Sequence, residues 1–127
     1  MKIGFTSTSF RQIKNIEKIV EIALQSGAEC IEWGGDIHVK NIADAECAKK
    51  LCDASGIEIT SYGSYYRVGS KNASEWQNIC KIAHAMGAKT VRVWLGTCDS
   101  EITDEETYKA LVEDAKQLSA FWTKYLS

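Results

Sequence analysis

Glu32 and Asp36 are carboxylates four residues apart at the end of one predicted strand, and the run Tyr62, Tyr65, Tyr66 and Arg67 surrounds the end of the next. Two carboxylates can deliver and remove protons when both lie within hydrogen-bond reach of a substrate carbon or oxygen. Aromatic faces stack on the apolar faces of sugar rings, and an arginine grips hydroxyls or a phosphate with planar two-point geometry. Each group also has a structural use. Glu32 is equally suited to an ion pair with Arg92, Asp36 to an Asx-type bond across its Gly34-Gly35 turn, and one or two of the tyrosines to packing under their loop.

His38 lies in the stretch after the second predicted strand, where it can touch a ligand or serve as a polar loop residue. As a metal ligand it would need two or three partners. The only other histidine, His84, sits near the C-terminal end of a predicted helix, where the helix terminus or solvent is its natural partner. Trp33 and Trp94 can wall a pocket, although a buried tryptophan more commonly belongs to a core. Cys98 has no histidine nearby in sequence and so little claim to be a nucleophile.

The elements that must position these groups are marked by glycine. Gly27, Gly56 and Gly87 each end a predicted helix and lead into a short apolar strand. Their spacings of 29 and 31 residues are the length of one βα unit. The predicted strands are residues 2–6, 30–33, 57–62 and 90–95. The predicted helices cover residues 13–26, 44–55 and 73–86, and a fourth opens with the capping box Thr103-Asp104-Glu105-Glu106. Asp44 is the expected N-cap of the second. Ala48, Leu51 and Cys52 should face inward there, as should Trp76, Ile79, Cys80 and Ala83 on the third. The fourth has the stripe Tyr108, Leu111, Val112, Ala115 and Leu118, and residues 122–127 read as a tail. No linker interrupts the four units, so residues 1–127 read as one domain. Such an array makes a parallel sheet with its working surface at the strand C-termini.

Strand chemistry decides between an open doubly wound sheet and part of a barrel. Thr90, Arg92 and Trp94 alternate with Val91, Val93 and Leu95; Glu32 lies opposite Ile31 and Trp33; Glu58, Thr60 and Tyr62 oppose Ile57 and Ile59. A parallel sheet covered by helices on both faces needs apolar residues on both, and burying Glu32 or Arg92 unpaired costs several kcal/mol. On the inner face of a barrel, near its mouth, they can pair with each other. A complete barrel takes about 200–250 residues, so the expectation is an α/β fold of four consecutive βα units, half of a (β/α)8 TIM barrel. The first and fourth strands of such a half are open edges, each an invitation to another chain.

The 127 residues are 45% hydrophobic and 25% charged, with a net charge of −2. This composition suits a globular domain and gives no reason to expect nucleic acid or an anionic membrane as partner. Five cysteines with no C-x-x-C pair point to a reduced, cytoplasmic protein. The N-terminus has too few apolar residues for a signal peptide, and no stretch approaches the ~20 of a membrane span. The chain contains no proline.

Three segments, residues 31–39, 61–69 and 91–96, together resemble the xylose isomerase-like TIM barrels. That superfamily holds sugar and sugar-phosphate isomerases and epimerases, and also endonuclease IV. The likeness runs from Met1 to about Phe121 and implies the N-terminal half of such a barrel. It implies that Glu32, His38, Tyr62, Tyr66, Arg67 and Trp94 line the substrate side of the mouth, with a small sugar or polyol as ligand. The superfamily's divalent metal (Mg, Mn, Co or Zn) is held by Glu, Asp and His from later strands. In this chain no residue inherits a metal-ligand or catalytic role, and the metal is expected only in a complete barrel. A truncated half-barrel, inactive alone, is the leading expectation. The alternative is a non-catalytic half-barrel that binds a small polyol and pairs with itself as a homodimer through its strand edges. DNA-repair endonuclease activity is a weaker one, since it calls for a basic face and several strand-end histidines.

Overall fold

The computed structural model describes residues 1–95 and 104–126. Their elements are β1 (Gly4–Thr6), a 3-10 turn (Ser7–Phe10), α1 (Ile16–Ser26), β2 (Cys30–Gly34), α2 (Ile42–Ser55), β3 (Glu58–Val68), α3 (Ala73–Met86), β4 (Thr90–Leu95) and α4 (Glu105–Leu126). The four strands form one parallel sheet in the order β1-β2-β3-β4. A doubly wound sheet reverses its strand order at a switch point. This sheet never does, and successive helices pack side by side over a single core, the arrangement of half a barrel. Among the described residues no helix is long and apolar enough to cross a membrane.

The helix ends form as the glycine spacing predicts. Gly27, Gly56 and Gly87 adopt left-handed φ values of 78°, 71° and 78°, and each N–H returns to the last turn of its helix. An Asn side chain starts each of the first three helices: Asn15 accepts from the Lys18 N–H, Asn41 from Asp44 and Asn72 from Glu75. The N-cap of α2 is therefore Asn41 rather than Asp44. Asp44 instead accepts from the Lys40 N–H, one residue before the cap. α1 begins at Ile16 rather than near Ile13. On α4, Asp104 accepts from the Thr107 N–H at 2.7 Å, which holds its carboxyl below the usual carboxylate range. The expected cap Thr103 lies outside the described residues, as does Cys98.

The core lies between sheet and helices. Ile31 and Trp33 of β2 are fully buried against Ala23, Ala45, Ala48 and Cys52, and Trp76, Ile79, Cys80 and Ala83 are buried along α3 as expected. The segment from Trp122, read as a tail, is instead the last turn and a half of α4. Trp122 is buried and its indole N–H donates to the Lys89 carbonyl at 3.2 Å, while Trp76 donates to Leu118 at 3.2 Å. On the α4 stripe Leu118 is buried and Leu111 and Ala115 are partly buried, but Tyr108 and Val112 stay exposed.

β3 departs most from the expected pattern. It runs on to Val68, so Tyr65, Tyr66 and Arg67 are strand residues, not loop. Its register against β2 shifts: Ile59 faces Ile31, but Ser61, not Thr60, faces Glu32. One extra residue inverts the alternation beyond it. Ser61 thus joins Glu32 on the inner face, and Tyr62 turns into the core beside Trp33. A second shift against β4 falls between Gly63, which faces Arg92, and Arg67, which faces Trp94.

Candidate functional site

The inner face of the sheet carries one connected polar and aromatic cluster near the strand C-termini. Arg92 Nε lies 3.1 Å from Glu32 Oε1, and the Ser61 hydroxyl donates to Glu32 Oε2 at 2.6 Å. The Glu32–Arg92 pair therefore forms, and on the inner face. The Arg92 guanidinium also sits 5.7 Å from the Tyr65 ring centroid and 5.6 Å from that of Trp94. Those two rings stack at 6.1 Å and 19°, and Arg67 covers Trp94 at 5.8 Å. At the other end of the cluster Arg11 donates to Asp36 and to the Tyr65 hydroxyl, both at 2.6 Å. Its hydrogen bond to Asp36 holds the guanidinium above its ordinary pKa.

Gly63 makes this packing possible. A Cβ there would lie 2.7 Å from Arg92 Nη2 and 3.1 Å from Glu32 Oε1, so a larger residue would press on the ion pair and make it shift. Tyr65 and Trp94 are nevertheless 41% and 44% exposed, and each keeps ring surface available to a ligand.

Of the residues expected at the mouth, Glu32, Arg67 and Trp94 belong to this cluster. The other three are buried. Tyr62 donates to the Val39 carbonyl at 2.9 Å, and burial, reinforced by the charges of Asp36 and Asp44, pushes its phenol up to about 12. The Tyr66 hydroxyl accepts from the Asn72 N–H at 3.1 Å under α3, its ring 5.3 Å from Trp76. His38 donates from Nε2 to the Ile13 carbonyl at 2.5 Å and meets Trp33 edge-on, with Nδ1 buried and without a hydrogen-bond partner. Trp33 is wholly buried in the core. Asp36 pairs with Arg11, and the His84 ring packs against Tyr125.

Arg11, Ser61 and Tyr65 complete the cluster. Tyr65 was legible as one of an aromatic run. Ser61 reaches Glu32 only through the register shift, and Arg11, just past the 3-10 turn, has no sequence signal that separates it from other surface arginines.

Among the described residues no three His, Cys, Asp or Glu side chains converge to hold a metal ion. Glu32 is taken by Arg92 and Ser61, Asp36 by Arg11, and His38 by a carbonyl, so these residues do not fit a metal centre. Several further cavities lie away from the cluster, two of them as follows. One of about 400 Å³ lies between α3 and α4, lined by Trp76, Asp114 and Phe121. The other, an apolar groove of about 620 Å³, lies along Leu95, Tyr108, Val112 and Ala115.

No protein-family model matches the chain, and neither does any curated protein at the sequence level. Its fold matches solved structures clearly. The probable 3-DHS dehydratase AsbF from Bacillus anthracis superposes with a TM-score of 0.85 at 19% identity, covering 98% of this chain and 49% of that one. D-psicose 3-epimerase from Clostridium cellulolyticum H10 gives 0.77 at 13% identity, with 98% and 50% covered. A xylose isomerase domain protein from Planctomyces limnophilus gives 0.65 at 14% identity, with 97% and 49% covered. The chain spans about half the length of the solved structures it matches. Four parallel βα units and these half-length superpositions together give the chain the fold of half of a (β/α)8 barrel like those of the solved structures it matches.

Proposed function

We propose that this chain forms the ligand-facing half of a sugar isomerase- or epimerase-like site, binding a sugar or sugar phosphate at its strand C-termini without turning it over unaided. The observation behind this reading is the inner-face cluster of Arg92, Glu32, Tyr65, Trp94, Arg67 and Arg11. Trp94 and Tyr65 offer partly exposed rings to the C–H face of a ligand. The guanidinium groups donate to hydroxyl or phosphate oxygens, and Glu32, oriented by Ser61 and Arg92, accepts from a hydroxyl. The residues described bind and orient. They supply no metal centre, and in this reading proton transfer between neighbouring carbons belongs to groups contributed by another half-barrel.

Trp94 reports on the site directly. Titration of the chain with D-xylose, D-fructose and fructose 6-phosphate should shift the Trp94 indole resonance in ¹⁵N-labelled protein; Arg92→Met, followed by that resonance, and Trp94→Ala, followed by the backbone amides of β4, should each weaken binding at least about tenfold. No product should form with Mg²⁺, Mn²⁺, Co²⁺ or Zn²⁺ present. Resonances unmoved at tens of millimolar ligand would sink the binding claim; metal-dependent turnover by the monomer would sink the inactivity claim.

A further inference from the structure

We infer that the cavity between α3 and α4, on the helix side of the sheet, binds a free α-amino acid with an apolar side chain, Asp114 taking its ammonium group and Lys71 its carboxylate. The cavity holds about 400 Å³, within the roughly 300–1,000 Å³ of small-molecule sites. Asp114 is its unusual wall. The residue is only 7% exposed, and its Oδ2 accepts the Gly69 N–H at 2.5 Å. Among the described residues its other oxygen has no hydrogen-bond partner, and no lysine, arginine or histidine pairs with it. A carboxylate taken out of water is costly unless an opposite charge and further donors meet it. This one lines the cavity, where the ammonium group of a ligand would supply both.

The other walls select what that ammonium group belongs to. Lys71 lines the same cavity and is the one non-glycine residue at positive φ (54°) among the described residues, a conformation easier for glycine or asparagine than for lysine. The ammonium and carboxylate of an amino acid share one carbon, so their partners must be close without neutralising each other. Asp114 is bonded to Gly69, two residues before Lys71, yet no ion pair joins it to Lys71. Trp76, Leu118 and Phe121 give the cavity an apolar wall, with the Trp76 indole N–H already donated to the Leu118 carbonyl at 3.2 Å. A side chain seated there needs no polar group of its own. Glu113 also lines the cavity but is exposed, so solvent and salt screen its charge. All these groups belong to α3, α4 or the turn between β3 and α3, and none to the inner-face cluster.

Titration of the ¹⁵N-labelled chain with L-phenylalanine and L-leucine tests this at the Trp76 indole resonance, with the Trp94 indole at the mouth as control. The expected result is a saturating Trp76 shift with a Kd below about 1 mM and an unmoved Trp94, which separates this site from the sugar-binding proposal. Phenethylamine lacks the carboxylate and hydrocinnamate lacks the ammonium group, and each should bind at least about tenfold more weakly than L-phenylalanine. Asp114→Asn keeps an oxygen for the Gly69 N–H, and Lys71→Asn suits the left-handed backbone. Each removes one charge and, with native circular dichroism, should weaken amino-acid binding at least about tenfold. A Trp76 resonance unmoved at about 10 mM amino acid would overturn the inference. So would an analogue that binds as well as L-phenylalanine, or folded variants that bind like the wild type. The analogue series needs only the wild-type chain, so it decides the matter even where a variant fails to fold.

Discussion

The two faces of this sheet follow opposite rules. The helix-facing side is built from Ile31, Trp33, Tyr62 and the partly buried Val91 and Val93, whose stabilisation comes from apolar area removed from water. The inner side is built from Glu32, Ser61, Tyr65, Arg92 and Trp94, which stabilise one another through directional contacts while retaining access to solvent. Trp33 and Trp94 show the difference within a single residue type. One is wholly buried in the core, and the other is nearly half exposed and surrounded by two arginines and a tyrosine. The core face sets whether the chain folds, and under the proposed function the inner face sets what it holds.

Replacing the two tryptophans is the strongest test of that division. Trp33→Ala should cost about 3–5 kcal/mol, a large share of the 5–15 kcal/mol typical of a domain, and urea unfolding would show a collapsed midpoint. Trp94→Ala should cost no more than about 1 kcal/mol while removing ligand response. Equal stability losses at both sites would erase the distinction between the faces.

A smaller effect is expected at Gly63, where the inner face is most tightly fitted. Gly63→Ala forces its Cβ toward Arg92 Nη2 and Glu32 Oε1, displacing the ion pair at about 1–2 kcal/mol. Shortening the obstacle sharpens the test: in an Arg92→Met background the same glycine change should cost less than half as much. Additive losses in the double variant, measured by urea titration, would mean that Gly63 matters for its backbone rather than for the pair.

Where alternation was regular, the sequence was enough to assign these faces. Glu32 between Ile31 and Trp33, and Arg92 between Val91 and Val93, identify an inner and an outer side, and the αL glycines at 27, 56 and 87 locate the units. β3 defeated the same logic. Period-two alternation survives only while each residue has one partner, and two register shifts within β3 broke it twice. Tyr62 and Tyr66 therefore lie in the core and Tyr65 at the mouth, although the three are nearly contiguous. His38 and Arg11 were illegible for another reason. Their positions depend on how the segments after β1 and β2 fold against each other, and no periodicity encodes that packing. The tail reading of residues 122–126 fails because Trp122 bonds to Lys89 just before β4 and Tyr125 packs on His84 of α3, partners 33 and 41 residues away in the chain.

Tyr62 offers the smallest test and the most specific. At neutral pH its hydroxyl supplies one buried hydrogen bond to Val39, so Tyr62→Phe should cost about 1 kcal/mol. The phenol holds its proton to about 12 in the folded chain against an ordinary 10.0. Because the folded pKa is raised, this group's contribution is complete below pH 10 and is lost as pH rises toward 12, where the unfolded tyrosine ionises and the folded one does not. The wild-type advantage should thus shrink by up to about 1.4 kcal/mol for each pH unit in that window and then reverse, the phenylalanine variant becoming the more stable. Urea titrations of both proteins from pH 8 to about 11.5 would show the crossing. The difference between the two isolates Tyr62 from Cys52 and Cys80, whose buried thiols, pushed up to about 11 and about 12, titrate over the same range in both proteins. Parallel curves would place Tyr62 in contact with solvent and return it to the mouth, where strict alternation along β3 would have put it.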